Sequence, residues 1–139
     1  MSRDVEVYSI DANVMLRFLV GDDPKLYRKA FDIITGIESG RNIAICDPVN
    51  LAEVVWVMKS FYKLSNERIH ELLEPILNVE GFLLPNKERY LLALRLFAEG
   101  MRSFGDACAC AAAIQDCGGR LYSFDEKLSN AQGVTRCEG

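Results

Sequence analysis

Four acids stand where the chain is predicted to pass from one element to the next. Asp11 follows the β-branched and aromatic run Val5-Glu6-Val7-Tyr8-Ser9-Ile10, and Asp125 follows Arg120-Leu121-Tyr122-Ser123-Phe124. Glu53 and Asp106 fall in the predicted first turns of two helices. Strand ends and helix starts share one edge of a parallel sheet, and ligands of open α/β sheets collect outside that edge. Each acid alone has an ordinary structural use, because a helix-start acid suits the macrodipole and a strand-end aspartate caps turns. Converging, they would strain the fold: two carboxylates ~4 Å apart repel by roughly 4 kcal/mol at an effective dielectric near 20, against a domain stability of ~5–15 kcal/mol. A divalent cation removes that strain. All-oxygen sites suit Mg²⁺ or Mn²⁺, and such an ion acidifies a bound water and neutralises phosphate charge. The chemistry this set suits is metal-assisted phosphodiester hydrolysis.

Positioning these acids requires strands and helices in alternation, and the sequence pattern supplies them. The first run is nearly apolar rather than alternating, as expected of a strand covered on both faces, which would leave Asp11 poorly solvated. Val14 to Val20 reads as a short helical turn or connector ending at Gly21. Asp23 caps a helix that Pro24 opens, with Leu26, Ala30, Ile33, Ile34 and Ile37 on one face. Ile43-Ala44-Ile45-Cys46 is a second buried strand. Residues 49–63 carry Leu51, Val54, Val55, Met58, Phe61 and Tyr62 on a stripe, a strong helix signal from which Glu53 stands apart. Ser65 caps a helix from Asn66 to about Leu77 that Pro75 should bend or shorten. Phe82-Leu83-Leu84 is a brief strand, and Pro85 opens a helix that stops at Gly100. Phe104 to Cys117, small on every side, reads as a central buried helix, and Val134 to Cys137 as a last edge strand. The alternation predicts one three-layer α/β/α domain over residues 1–139, with a central, largely parallel sheet of four or five strands.

Composition narrows the classes. At 139 residues, half hydrophobic and a quarter charged, the chain suits a single soluble globular domain. The charged Arg3-Asp4 start leads straight into strand-like sequence without a signal-peptide core, and no apolar run approaches a membrane span, so a cytoplasmic protein is expected. The five cysteines include no Cys-x-x-Cys pair and are expected to be small buried residues rather than a zinc or disulfide framework. With His70 the only histidine, on a polar helix face, histidine triads and histidine-rich metal sites are excluded. The net charge of −4 argues against a nucleic-acid partner only if the acids are spread evenly, because sequestering four in a metal site would leave 16 acids facing 16 bases.

Asp11-Ala12-Asn13 after the first strand, Glu53 within Asn50-Leu51-Ala52-Glu53-Val54, Asp106 within Phe104-Gly105-Asp106-Ala107, and Asp125 within Ser123-Phe124-Asp125-Glu126-Lys127-Leu128 together resemble a PIN-domain ribonuclease. The stretch Arg17-Phe18-Leu19-Val20-Gly21-Asp22-Asp23-Pro24 is similar to VapC-type toxins of toxin-antitoxin pairs. The resemblance implies that Asp11, Glu53, Asp106 and Asp125 form an acidic pocket for Mg²⁺ or Mn²⁺, with Asn13 in support, and that a metal-activated water attacks RNA. It also implies a homodimer, and an antitoxin laying an apolar segment into a groove between helices such as 24–38 and 49–63. The position after the first aspartate usually bears a hydroxyl in that family; here it is Ala12.

An acidic pocket meets a phosphate backbone only if cations rim it. Arg17, Lys59, Arg102 and Lys127 lie near the four motifs and are the candidates. Trp56 and Phe104 have faces on which bases stack, but core packing is the expected use of both. The leading expectation is therefore a metal-dependent endoribonuclease acting as a toxin. A housekeeping RNA-processing nuclease, a silent RNA- or protein-binding module, and a phosphotransfer domain stand behind it.

Overall fold

A computed structural model describes residues 4–139; Arg3 of the charged start lies outside them. The described chain contains six α-helices and five strands, and every strand pairing is parallel. The mixed α/β class with parallel strands is thus as expected. The chain divides into two compact units, residues 1–87 and 88–139.

In the first unit, strands β1 (Glu6–Ile10), β2 (Asn42–Cys46) and β3 (Phe82–Leu83) form a sheet in the order β1-β2-β3. Tyr8 pairs with Ala44, Ile10 with Cys46 and Ala44 with Phe82. Successive side chains alternate faces, so Ile10, Ala44, Cys46 and Phe82 share one side, and all are at most 4% exposed. The other side carries Val7, Ile45 and Leu83, each more than 40% exposed. The expectation of a first strand covered on both faces is therefore corrected: in β1 only Ile10 is buried, and Tyr8, on the same side as Ile10, is 52% exposed.

Helices α1 (Ala12–Val20), α2 (Pro24–Glu38), α3 (Pro48–Ser60) and α4 (Asn66–Leu77) build the rest of this unit, with α1 touching α2 and α3, α2 touching β2 and α4 touching β3. The connector expected after Asp11 is a full nine-residue helix, closed by Gly21 in the left-handed region at φ 68°. Asp-Pro starts recur. Asp23 Oδ1 accepts from Lys25 N and Leu26 N, each at 3.1 Å, ahead of Pro24, and Asp47 Oδ1 accepts from Val49 N at 2.8 Å ahead of Pro48. Leu51, Val54, Val55 and Met58 of α3 are all within 1% of complete burial. Phe61, expected on their stripe, is 72% exposed because the helix has already ended at Ser60. Pro75 lies in the last turn of α4 and does not end it early, and His70 pairs with Glu74 at 2.8 Å on the same helix.

The second unit contains α5 (Lys87–Ala98, one residue of which falls before the boundary), α6 (Phe104–Asp116), and strands β4 (Arg120–Tyr122) and β5 (Thr135–Cys137), which pair in parallel around a 3₁₀ helix at Glu126–Asn130. Phe97 of α5 and Phe104 of α6 meet edge to face with centroids 6.0 Å apart, and both are buried. Ala107, Cys110, Ala111 and Ala113 are buried on α6, whereas Gly105 and Ala109 are exposed. Gly119, at φ 84°, lets β5 approach so closely that a Cβ there would stand 2.2 Å from the Gly133 carbonyl oxygen. Thr135 N donates to Gly119 O at 2.7 Å across this approach. Among the cysteines Cys46 and Cys110 are buried, Cys108 and Cys137 half-buried and Cys117 exposed, so burial holds for only part of the set; Cys117 sits beyond the last turn of α6, where the core no longer covers it.

Candidate functional site

Asp106 and Asp125 are brought to one place. Both line an open hollow of about 660 Å³ in the second unit, with Glu99, Arg102 and Lys127 on the same walls. Local hydrogen bonds fix each aspartate. Ser103 caps α6, its Oγ accepting from Asp106 N at 3.1 Å, which holds Asp106 in the first turn, where the macrodipole favours a carboxylate. Asp125 N donates to Ser123 Oγ at 3.0 Å, and Asp125 Oδ1 accepts from Lys127 N at 3.0 Å, capping the 3₁₀ helix. Arg136 Nη1 in turn donates to Ser123 O at 3.0 Å, tying the loop that carries Asp125 to β5.

Asp11 stands at the end of β1, is exposed, and caps α1 by accepting from Val14 N at 3.1 Å. It borders a different hollow, of about 560 Å³, lined mainly by apolar side chains of β1, β2 and α2, including Ile33, Ile37 and Ile43. Ala12 beside it is 3% exposed and Asn13 is exposed. Glu53 is exposed on α3 and, as the sixth residue of a helix that begins at Pro48, lies past its first turn, which contains no acid. The macrodipole therefore does not favour a carboxylate at Glu53 as it does at Asp106.

The candidate cations divide in the same way. Arg102 and Lys127 stand on the hollow beside Asp106 and Asp125. Arg17 is half-buried and pairs with Asp22 at 3.4 Å, and that carboxylate also accepts from Tyr62 Oη at 2.8 Å. Lys59 donates from Nζ to Asn66 Oδ1 at the start of α4. Of the two aromatic residues expected in the core, Phe104 is there and Trp56 is not: its indole is 66% exposed. Trp56 falls outside the 51/54/55/58 stripe, so packing that helix face never required it. Glu99 is a wall residue that the sequence motifs do not single out. It follows the last turn of α5, where the helix dipole disfavours an acid, and that unfavourable placement is the one sequence signal it carries.

Asp106 and Asp125 offer hard carboxylate oxygens, the donors that Mg²⁺ and Mn²⁺ take, and Mg²⁺ is commonly held by one or two carboxylates with water completing its shell. The residues present therefore fit a divalent ion. Among the described residues no group of three or more His, Cys, Asp or Glu side chains is disposed to hold a metal. Among them, too, no helix is long and apolar enough to cross a membrane.

No curated protein matches the chain. A family model described as PIN domain matches residues 8–134, a span that includes all four acids. PIN domains are in general nucleases that use divalent metal ions. With most of its length matched in this way, the chain belongs to the PIN domain family.

Proposed function

We propose that the protein is an Mg²⁺- or Mn²⁺-dependent endoribonuclease that hydrolyses RNA phosphodiester bonds in the cytoplasm, and that it is the toxin of a toxin-antitoxin pair. The observation that carries the nuclease reading is the pairing, on one hollow, of the Asp106 and Asp125 carboxylates with the Arg102 and Lys127 cations. Carboxylates alone would repel a phosphodiester, and cations alone would bind it without acting on it. In this reading Asp106 and Asp125 hold the ion, Asp11 and Glu53 are required carboxylates, and Asn13 supports Asp11. The bound ion supplies an acidified water and neutralises charge on the scissile phosphate. Arg102 and Lys127 receive the flanking backbone phosphates, and Arg17 and Lys59 are further candidate cations for RNA. The Ser103 cap fixes the backbone from which Asp106 projects, and Lys127 N holds one oxygen of Asp125.

The toxin assignment rests on the likeness of the Arg17–Pro24 stretch to VapC-type chains, with a homodimer and an apolar antitoxin segment as its partners. Apolar surface suited to such a segment is present on α2, where Tyr27, Phe31 and Ile33 are 37–45% exposed and Phe18 stacks on Tyr27. The deciding experiment is RNA cleavage by the purified protein with Mg²⁺ or Mn²⁺, with and without chelator, beside Asp106→Asn. Cleavage lost in both controls is expected. Cleavage that persists in the folded variant or after chelation refutes the carboxylate-metal reading, and RNA binding without cleavage makes the chain a silent module.

A further inference from the structure

We propose that Trp56 is a stacking platform for a base of single-stranded RNA, set on α3 between Glu53 and Lys59. The proposal rests on the ribonuclease reading and adds to it the element along which the strand lies. Exposing two-thirds of an indole gives up burial of one of the largest apolar surfaces a chain possesses, and this chain exposes its only tryptophan while burying Leu51, Val54, Val55 and Met58 on the same helix. Trp56 is one turn beyond Glu53 and one turn before Lys59. Residues three apart on a helix are neighbours with Cβ atoms ~5–6 Å apart, and the six steps from Glu53 to Lys59 span about 9 Å of helix axis. A proposed catalytic carboxylate, an exposed aromatic face and an ammonium thus follow one another along a single exposed strip. Lys59 is anchored to Asn66 of α4 and Glu53 is exposed.

That order matches what a single strand offers, which is a phosphate to act on, a base to stack and a further phosphate to neutralise. Stacking on an aromatic beside a cation is the general mode of single-strand binding, and it tolerates any base because every base has a π-face. A second copy of the chain is the poorer occupant. Val49 and Trp56 are the large apolar side chains of the strip, with Glu53 between them and Lys59 beyond Trp56, whereas the core of a protein interface is depleted of charge and a standard one buries ~800 Å² per partner.

Because Trp56 is the only tryptophan, its emission reads the site directly. A short oligoadenylate titrated in chelator, where cleavage is not expected, should quench Trp56 fluorescence saturably. Trp56→Ala should weaken binding by roughly 5- to 100-fold, the equivalent of one stacked base, and Trp56→Phe should recover most of it. Since the side chain is exposed, both variants should melt with the wild type, and circular dichroism checks this. Binding within twofold of wild type in Trp56→Ala overturns the stacking role even if metal-dependent cleavage is intact. Quenching retained in a protein that never cleaves RNA supports the platform and sinks the ribonuclease reading instead. Absence of oligoadenylate binding by the wild type overturns the platform. So does a dimer, seen by sizing without RNA, that blue-shifts the emission and dissociates in Trp56→Ala.

Discussion

Asp11 has two roles that one pair of substitutions separates. It caps α1 through Oδ1, and in the proposed chemistry its charge is required. Asparagine keeps a side-chain oxygen where Val14 N needs it, and asparagine and aspartate rank alike as N-caps, so Asp11→Asn removes charge and leaves the cap. What it loses is the interaction of a carboxylate with the helix start, a few tenths of a kcal/mol at an exposed position. Asp11→Ala removes both. Loss of a capping oxygen costs ~1 kcal/mol, within a range of about 0.5–2. For a chain of 139 residues the unfolding entropy is about 0.3 kcal/mol/K, so this becomes a fall in Tm of roughly 3–4 °C if the chain unfolds in one step. The assay is thermal and urea unfolding of both variants in metal-free buffer, with RNA cleavage measured alongside in Mg²⁺ or Mn²⁺. The expected pattern is Asp11→Asn close to wild type in stability, Asp11→Ala lower by the cap's worth, and both devoid of metal-dependent cleavage. Asp11→Asn falling by as much as Asp11→Ala would refute the separation, since the charge rather than the oxygen would then hold the helix start. Full activity in Asp11→Asn would remove Asp11 from the chemistry and leave it a cap.

Three further outcomes follow from the second unit and the cysteines. Charge reversal at Arg102 or Lys127 should raise KM for RNA more than it lowers kcat, and should reduce the slope of log affinity against log salt by ~0.7 for each phosphate that is no longer neutralised; an unchanged salt slope would show that these cations face solvent only. Burial, reinforced by the Asp47 charge, pushes the Cys46 thiol up to about 11, and burial does the same for Cys108, so a thiol reagent at pH 8 should label exposed Cys117 first and reach Cys46 only on unfolding. Because the folded state keeps these protons longer than the unfolded chain, stability from this source should fall between pH 9 and 11, which urea unfolding across that window measures.

Much of the fold is legible because it is written in local chemistry. The Asp23-Pro24 start and the Ser65 cap carry their own hydrogen-bond logic, and α2 and α4 begin where those residues place them. Strand extents are less legible, since β4 stops at Tyr122 and leaves Phe124 outside, a limit set by pairing with β5 rather than by side-chain type. For the candidate site, the placement of Asp106 in a first turn and Asp125 beyond a strand can be read directly. Glu53 is not a first-turn acid with a start at either Pro48 or Val49, being the sixth or fifth helical residue, so nearness to a helix start in sequence is a poor guide to its place on α3. Trp56 and Phe61 depart from expectation for a related reason: aromatic character announces an apolar residue but does not say on which side of a helix, or past which end, it falls. Glu99 is obscured by its neighbour, because Gly100 marks the end of α5 so plainly that the acid before it passes for part of the stop.

The close approach at Gly119 reaches further than its own turn. β5 lies against Gly119 through the Thr135 hydrogen bond, Arg136 of that strand holds the Ser123 carbonyl, and the Ser123 hydroxyl holds Asp125. A single methyl group at position 119 cannot fit beside the Gly133 carbonyl, so β5 must move, and the displacement passes through Arg136 and Ser123 to a carboxylate on the hollow. In a saturation-mutagenesis map, position 119 would score as intolerant as the acids themselves while bearing no functional group. Residue-by-residue sensitivity in this chain would therefore trace a line of backbone clearance as well as the carboxylate side chains.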